Sequence, residues 1–173
     1  LPRRNEARII DSILQRRLTG ESLQFYGQFD PPVDRFIYER YFAGRAGPGI
    51  AIECGAFDGV TESSCKVFEE ALGWRCINIE PHPSAFAKLV ANRPRATNLN
   101  VALASAVGTT KFTAVIHPVF GIDCNNGSLR HTDKHRELLD QIGCAYRDFE
   151  VATTTYATLV AGEPVGSVEL LVL

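Results

Sequence analysis

The sequence predicts an α/β fold, a mostly parallel sheet with helices on both faces, on three observations. Gly49-Ile-Ala-Ile-Glu-Cys-Gly-Ala-Phe-Asp-Gly59 reads as a buried strand running into a glycine-punctuated turn. Trp74-Arg-Cys-Ile-Asn-Ile-Glu-Pro81 reads as a second buried strand that ends on a carboxylate. Around them, helix-period and strand-like apolar runs alternate, as they do when crossover helices join parallel strands.

The first 45 residues form a helical segment ahead of a core over 46–173. Ile9, Ile10, Ile13, Leu14 and Leu18 share one helical face, with Asn5 as cap and Gly20 as stop. After a loop carrying Phe25-Tyr-Gly-Gln28, Asp30-Pro-Pro opens a second helix. Its apolar stripe is Val33, Phe36, Ile37, Tyr41 and Phe42. Gly44 to Gly49 is a connector. The first strand covers 49–54, a helix runs from a Thr61 cap to Leu72 with Gly73 as its stop, and the second strand covers 74–80. Pro83 begins a helix with Phe86, Leu89 and Val90 inward, which Arg93-Pro94 ends. A third strand is expected over Ala96–Ala104 and a fourth over Lys111–His117. A loop with an Asn126-Gly127 turn signal follows, then a polar helix over His131–Ile142, a strand around Val151–Tyr156 and a last strand from Val168.

With 173 residues, 45% of them hydrophobic and 22% charged, the chain has the makings of one substantial core. A net charge of -2 gives no footprint for nucleic acid. No apolar run approaches the roughly 20 residues of a membrane span, and the N-terminus has no signal core. Cys54, Cys65, Cys76, Cys124 and Cys144 form no CxxC pair and fall largely in apolar patterns. That predicts a reduced, cytoplasmic chain without a metal site. The chain has no Met and stops on the strand-like Val168–Leu173, so it is expected to be part of a longer one, its core truncated after the fourth strand.

The chemistry concentrates at the two strand ends. Gly55 and Gly59 permit torsions and a close approach of ligand to backbone that side chains would block. The helix start beyond them, with Ser63 in its first turn, suits a carboxylate. Glu80, at the end of the second strand, stands where an acid accepts from ribose hydroxyls. The spacing Gly55-x-x-x-Gly59 lacks a glycine of the dinucleotide fingerprint, and Glu53 and Asp58 would repel a pyrophosphate while attracting an ammonium. S-adenosylmethionine combines ribose, carboxylate and ammonium. Gly55 and Gly59 as a plain tight turn, with Glu80 as a helix cap, is the bland reading of the same residues.

These residues resemble the FkbM-type methyltransferases, class I enzymes dependent on S-adenosyl-L-methionine. The resemblance is carried by Phe25-Tyr-Gly-Gln28 with Asp34-Arg-Phe-Ile37, by Ile52–Gly59 and by Ser63. It continues through Leu72-Gly-Trp-Arg-Cys-Ile-Asn-Ile-Glu-Pro-His-Pro83, Asn92-Arg-Pro94 and Asn98–Ala104. It implies a Rossmann-like class I methyltransferase fold. Glu53, Gly55, Ala56, Asp58 and Gly59 would surround the methionine part of the cofactor, with Ser63 near its carboxylate. Glu80, with Pro81 beside it, would hold the ribose, and Val101 and Ala102 would border the adenine. The acceptor implied is a hydroxyl on a small molecule or glycan, such as a sugar or secondary metabolite.

The chain departs from the family at Gly27, where Ser is usual, and at Ser63-Ser64-Cys65, where Ser-Asn-Thr is common. The family's Asp-x-Glu-Gly motif would begin just after Leu173. Among residues present, the loop His117–Leu129 with Asp123, Asn125, Asn126 and Ser128 is the place for acceptor chemistry, yet no catalytic residue is singled out. His82 and His117 read as structural and His131 as a surface residue. A methyltransferase-like domain used only for binding, and a nucleotide-cofactor oxidoreductase, are the rival readings.

Overall fold

The computed structural model describes residues 23–45, 47–122, 124–162 and 167–173. The helix expected over residues 5–19 lies outside them. The main sheet has four parallel strands, β1 (Ile50–Cys54), β2 (Arg75–Ile79), β3 (Thr97–Leu99) and β7 (Leu170–Val172), in the order β3-β2-β1-β7. The chain steps outward from β1 to β3 and then crosses to the other side of β1. That reversal puts a crevice at the carboxyl ends of the central strands, where open α/β sheets bind ligands.

Alternation along the strands divides the core. Ile52, Ile77 and Ile79 point to one face, beneath Leu159 and Val160 of helix α5 (Tyr156–Gly162). Ala51 and Cys76 point to the other, beneath Val67, Phe68, Ala71 and Leu72 of helix α2 (Lys66–Leu72). The expected helices on both faces are therefore present. On the α2 side Trp74 is the keystone, its ring edge-on to Phe42 at 4.8 Å and tilted against Phe68 at 4.9 Å. The Gly-Trp pair has a plain cause: Gly73 ends α2 in the left-handed region at φ 66°, and the Trp74 N–H closes on the Phe68 carbonyl at 3.0 Å.

Ahead of the sheet, α1 (Val33–Ile37) continues as a π-helical turn over Tyr38–Phe42. Its expected apolar stripe is only partly buried. Phe42 joins the core and Ile37 packs against it, whereas Phe36 and Tyr41 are exposed. Asp34, fully buried, accepts from the N–H groups of Tyr26 and Arg35 and fastens the preceding loop. A Cβ on Gly27 would lie 2.8 Å from the Asp34 backbone nitrogen. Close packing thus favours Gly at this position.

The expected strand Ala96–Ala104 is two strands in two sheets. Asn100 turns its side chain back and donates to the carbonyls of Glu80 and Pro81, at 2.8 and 3.2 Å. The chain leaves the main sheet there and re-forms as β4 (Ala102–Leu103), which with β5 (Gly108–Ile116) and β6 (Ala145–Thr154) makes a small sheet of order β4-β6-β5. β5 and β6 pair antiparallel, with α4 (Asp133–Ile142) between them in sequence. The fourth expected strand, Lys111–His117, thus belongs to the small sheet, and the outer neighbour of β1 is β7. Two further expectations are corrected. On α3 (Pro83–Asn92) the inward residues are Ala85 and Leu89, with Val90 exposed. The polar α4 begins at Asp133, because the Thr132 hydroxyl accepts from the His135 N–H.

Gly49 lies flat beneath Trp74, and a Cβ there would sit 2.4 Å from the indole. Gly49→Ala is expected to cost about 1–3 kcal/mol, the usual cost of overpacking a core, read as a lower urea midpoint at unchanged m-value.

Candidate cofactor site

The turn after β1 is held by two buried carboxylates, one on each side. Glu53 accepts from the Ser63 hydroxyl at 2.8 Å and the Ser64 N–H at 2.6 Å. These bonds hold residues 63–64 against the sheet, so α2 starts at Lys66 and not at a Thr61 cap. Asp58 secures the first half of the turn, accepting from Val60 N–H, Thr61 N–H and the Thr61 hydroxyl. Burial pushes the Asp58 carboxyl up, but those three bonds hold it below the usual carboxylate range.

Glu80 secures the other side. One of its oxygens accepts from Phe57 N–H at 2.8 Å and the other from His82 N–H at 2.7 Å, which ties the β1 turn to the β2 turn. Each oxygen keeps a second lone pair for a hydroxyl donor. Burial raises the carboxyl pKa of Glu80 against these bonds, and that of Glu53 against its own bonds and the Arg93 charge.

Behind the turn lies a polar circuit the sequence did not announce. Glu53, Asn78 and Asn98 occupy one in-register row across β1, β2 and β3. Asn78 donates to Asn98 at 2.9 Å, and Asn98 donates to the Arg93 carbonyl at 2.9 Å. The Arg93 guanidinium, 1% exposed, donates to Glu69, to the Gly59 carbonyl and to the Ser63 hydroxyl. Read from sequence, Arg93 is only a charged residue at a helix end; no signal in the chain tells that it folds inward.

The expected site residues therefore separate. Gly55, Glu80 and Pro81 line a pocket at the carboxyl ends of β1 and β2, together with Phe57 and His82. Gly55 has φ 76° and nothing within 4 Å of where a Cβ would stand, so its backbone can be approached closely. Ala56 is buried beside it and donates its N–H to the Ile79 carbonyl. Gly59 serves packing: a Cβ there would lie 2.6 Å from Leu89 and 2.7 Å from Arg93. Ser63 is buried and its hydroxyl is already shared among Glu53, Lys66 N–H and Arg93. Ser63 and Glu53 thus shape the turn from behind. Val101 and Ala102 sit in the two cores that flank the pocket.

The opposite wall comes from the small sheet and its loop, through Phe112, Ala114, Cys124, Asn125 and Gly127. Asp123 lies outside the described residues. The His82 ring stands edge-on to Phe149 at 5.4 Å, and its Nδ1 accepts from Ala85 N–H as the cap of α3. His117 is structural too, its Nδ1 accepting from Val119 N–H and Phe120 N–H. His131 is half-buried and bonded to the Asn126 carbonyl at 2.8 Å, which corrects its reading as a surface residue.

The family model for the methyltransferase FkbM domain matches residues 53–171, from the carboxylate of β1 into β7. The chain belongs to the FkbM methyltransferase family. No curated protein and no solved structure matches it. The parallel order β3-β2-β1-β7 is Rossmann-like, and the matched span holds both walls of the pocket. Among the described residues, no helix is long and apolar enough to cross a membrane.

The folded-state pKa of Glu53 lies above its unfolded value, so the folded protein binds this proton more tightly. Stability from that proton is full below the unfolded pKa and is lost as pH rises to the folded one. Relative to Glu53→Gln, the wild type is expected to lose stability over that window and then level off. Parallel urea titrations from acid to neutral pH check this; a constant difference would refute it.

Proposed function

We propose that the chain is an S-adenosyl-L-methionine-dependent methyltransferase domain of class I that methylates a hydroxyl on a small molecule or glycan. The observation that carries this reading is Glu80: a buried carboxylate at the end of β2, lining the crevice beside the open flank of Gly55. Its two free lone pairs match the two hydroxyl donors of a ribose. Membership of the FkbM family supports the same cofactor. The donor set fits in kind: an acceptor for a diol, an approachable backbone at Gly55, and an apolar side at Phe112.

Bound there, S-adenosylmethionine supplies an electrophilic methyl group on a sulfonium. The chain's own part is to bind and orient. Glu80 fixes the sugar, and the hydrogen bond it accepts from Phe57 N–H keeps the β1 turn at a set distance from it. Glu53 and Arg93 hold that turn from behind, so Gly55 stays in its left-handed conformation without contributing side-chain contacts. Phe112 and the His82–Phe149 pair exclude water from the small-sheet side. The hydroxyl acceptor is inferred from the family resemblance, and the His117–Leu129 loop beside the pocket is where it would arrive.

S-adenosylhomocysteine is expected to raise the melting temperature, and NAD to leave it unchanged. Glu80→Ala is expected to weaken S-adenosylhomocysteine binding by about tenfold or more, the scale of a charge-assisted hydrogen-bond pair, while circular dichroism stays native. Equal affinity in the variant would refute the ribose assignment.

A further inference from the structure

The pocket is small for the ligand proposed to use it. Its cavity volume is about 70 Å³, well below the roughly 300–1,000 Å³ of ligand pockets. It lies between two walls with different attachments. The core wall is built on β1 and β2. The loop of the opposite wall is anchored to its own small sheet: Cys124 to the Val115 carbonyl, Ser128 to Thr113, and the Asn126 carbonyl to His131. Gly127 packs so tightly on Phe112 that a Cβ would lie 2.6 Å from the ring. Across the cleft a side-chain bond joins this loop to the core turn, from Asn125 Nδ2 to Glu62 Oε2 at 2.6 Å.

Glu62 is an unusual anchor. It has φ 57°, and Phe57 in the same turn has φ 50°; such torsions cost side-chain-bearing residues and collect at functional sites. Glu62 also forms a parallel bridge with Gly27, and Gly27 packs against the buried Asp34, which accepts from the neighbouring Tyr26 N–H. The turn residue that receives Asn125 is therefore braced from outside the pocket.

We propose that Asn125 and Glu62 form a latch across the mouth of the cofactor cleft, closing the small-sheet loop over Glu80 and Gly55. They are positioning residues: they touch neither reacting atoms nor, on the geometry here, the cofactor's own holders. A molecule of nucleoside size enters when this bond opens, and the bond re-forms beside it. The cofactor in question rests on the reading under Proposed function; the latch itself is a property of the ligand-free protein.

Cys124, half-buried in the loop wall, gives a test that needs no ligand. Iodoacetamide labelling of the intact chain, resolved by cysteine with mass spectrometry, is compared for wild type, Asn125→Ala, Glu62→Ala and Glu62→Gln. Labelling of Cys124 is expected to rise about three- to tenfold in both alanine variants, the equivalent of one net hydrogen bond. Glu62→Gln retains an acceptor and should stay near wild type. Cys65 and Cys76, buried in the main core, should not change in any variant. An unchanged Cys124 rate, or a rise matched at Cys65 and Cys76, overturns the latch. S-adenosylhomocysteine then separates the two proposals. If it binds wild type, it is expected to protect Cys124 and to associate and dissociate faster in Asn125→Ala. If it does not bind while the labelling pattern holds, the cofactor reading fails and the latch stands.

Discussion

A guanidinium with almost no access to water is the constraint the rest of the site depends on. Arg93 sits at the end of α3 and reaches beneath the β1 turn, where it meets Glu69 of α2, the Gly59 carbonyl and the Ser63 hydroxyl. Removing a charge of this kind from water costs several kcal/mol, recovered only when every partner is in place. The arrangement is consequently all or nothing. If α2, α3 and the glycine turn dock together, Glu53 finds Ser63 and Ser64; if any one is misplaced, buried charge is left uncompensated. The turn that offers Gly55 to a ligand is held in place by residues that never face that ligand.

The carboxylates of Glu53 and Glu80 look alike in sequence, each near the end of a buried strand before a turn. Their environments divide their roles. Glu53 faces the α2 side, bonded to the chain that follows Gly59 and away from the pocket lining. Glu80 lies at the crevice with capacity left over. A carboxylate that closes the fold and one that remains available to a ligand thus differ by what surrounds them, and only the folded chain supplies that.

The parts of the fold legible in the sequence were those written in short-range patterns. The buried runs at Ile50–Cys54 and Arg75–Ile79, the stop at Gly73 and the proline opening α3 all fell where expected. The failures share a cause, side chains that act over long sequence separations. Nothing near Asn100 signals that it bonds carbonyls twenty residues earlier and splits a strand between two sheets. Thr61 looks like a cap until Asp58 and Glu53 claim the residues on either side. Of the candidate site, Gly55, Glu80 and Pro81 line the pocket, while Glu53, Gly59 and Ser63 support it. The far wall of Phe112, Asn125 and Gly127 was legible only as a loop with a turn signal, because its meaning depends on the small sheet folding over the large one.

Asn100 has a mechanical meaning as well. The chain passes from one sheet to the other through this residue, and its side chain is fastened to the backbone just where Glu80 and Pro81 begin the pocket. The two sheets therefore share a fulcrum at the back of the cleft. Glu80 thus stands at the joint itself, on backbone that the crossover between the two sheets holds in place.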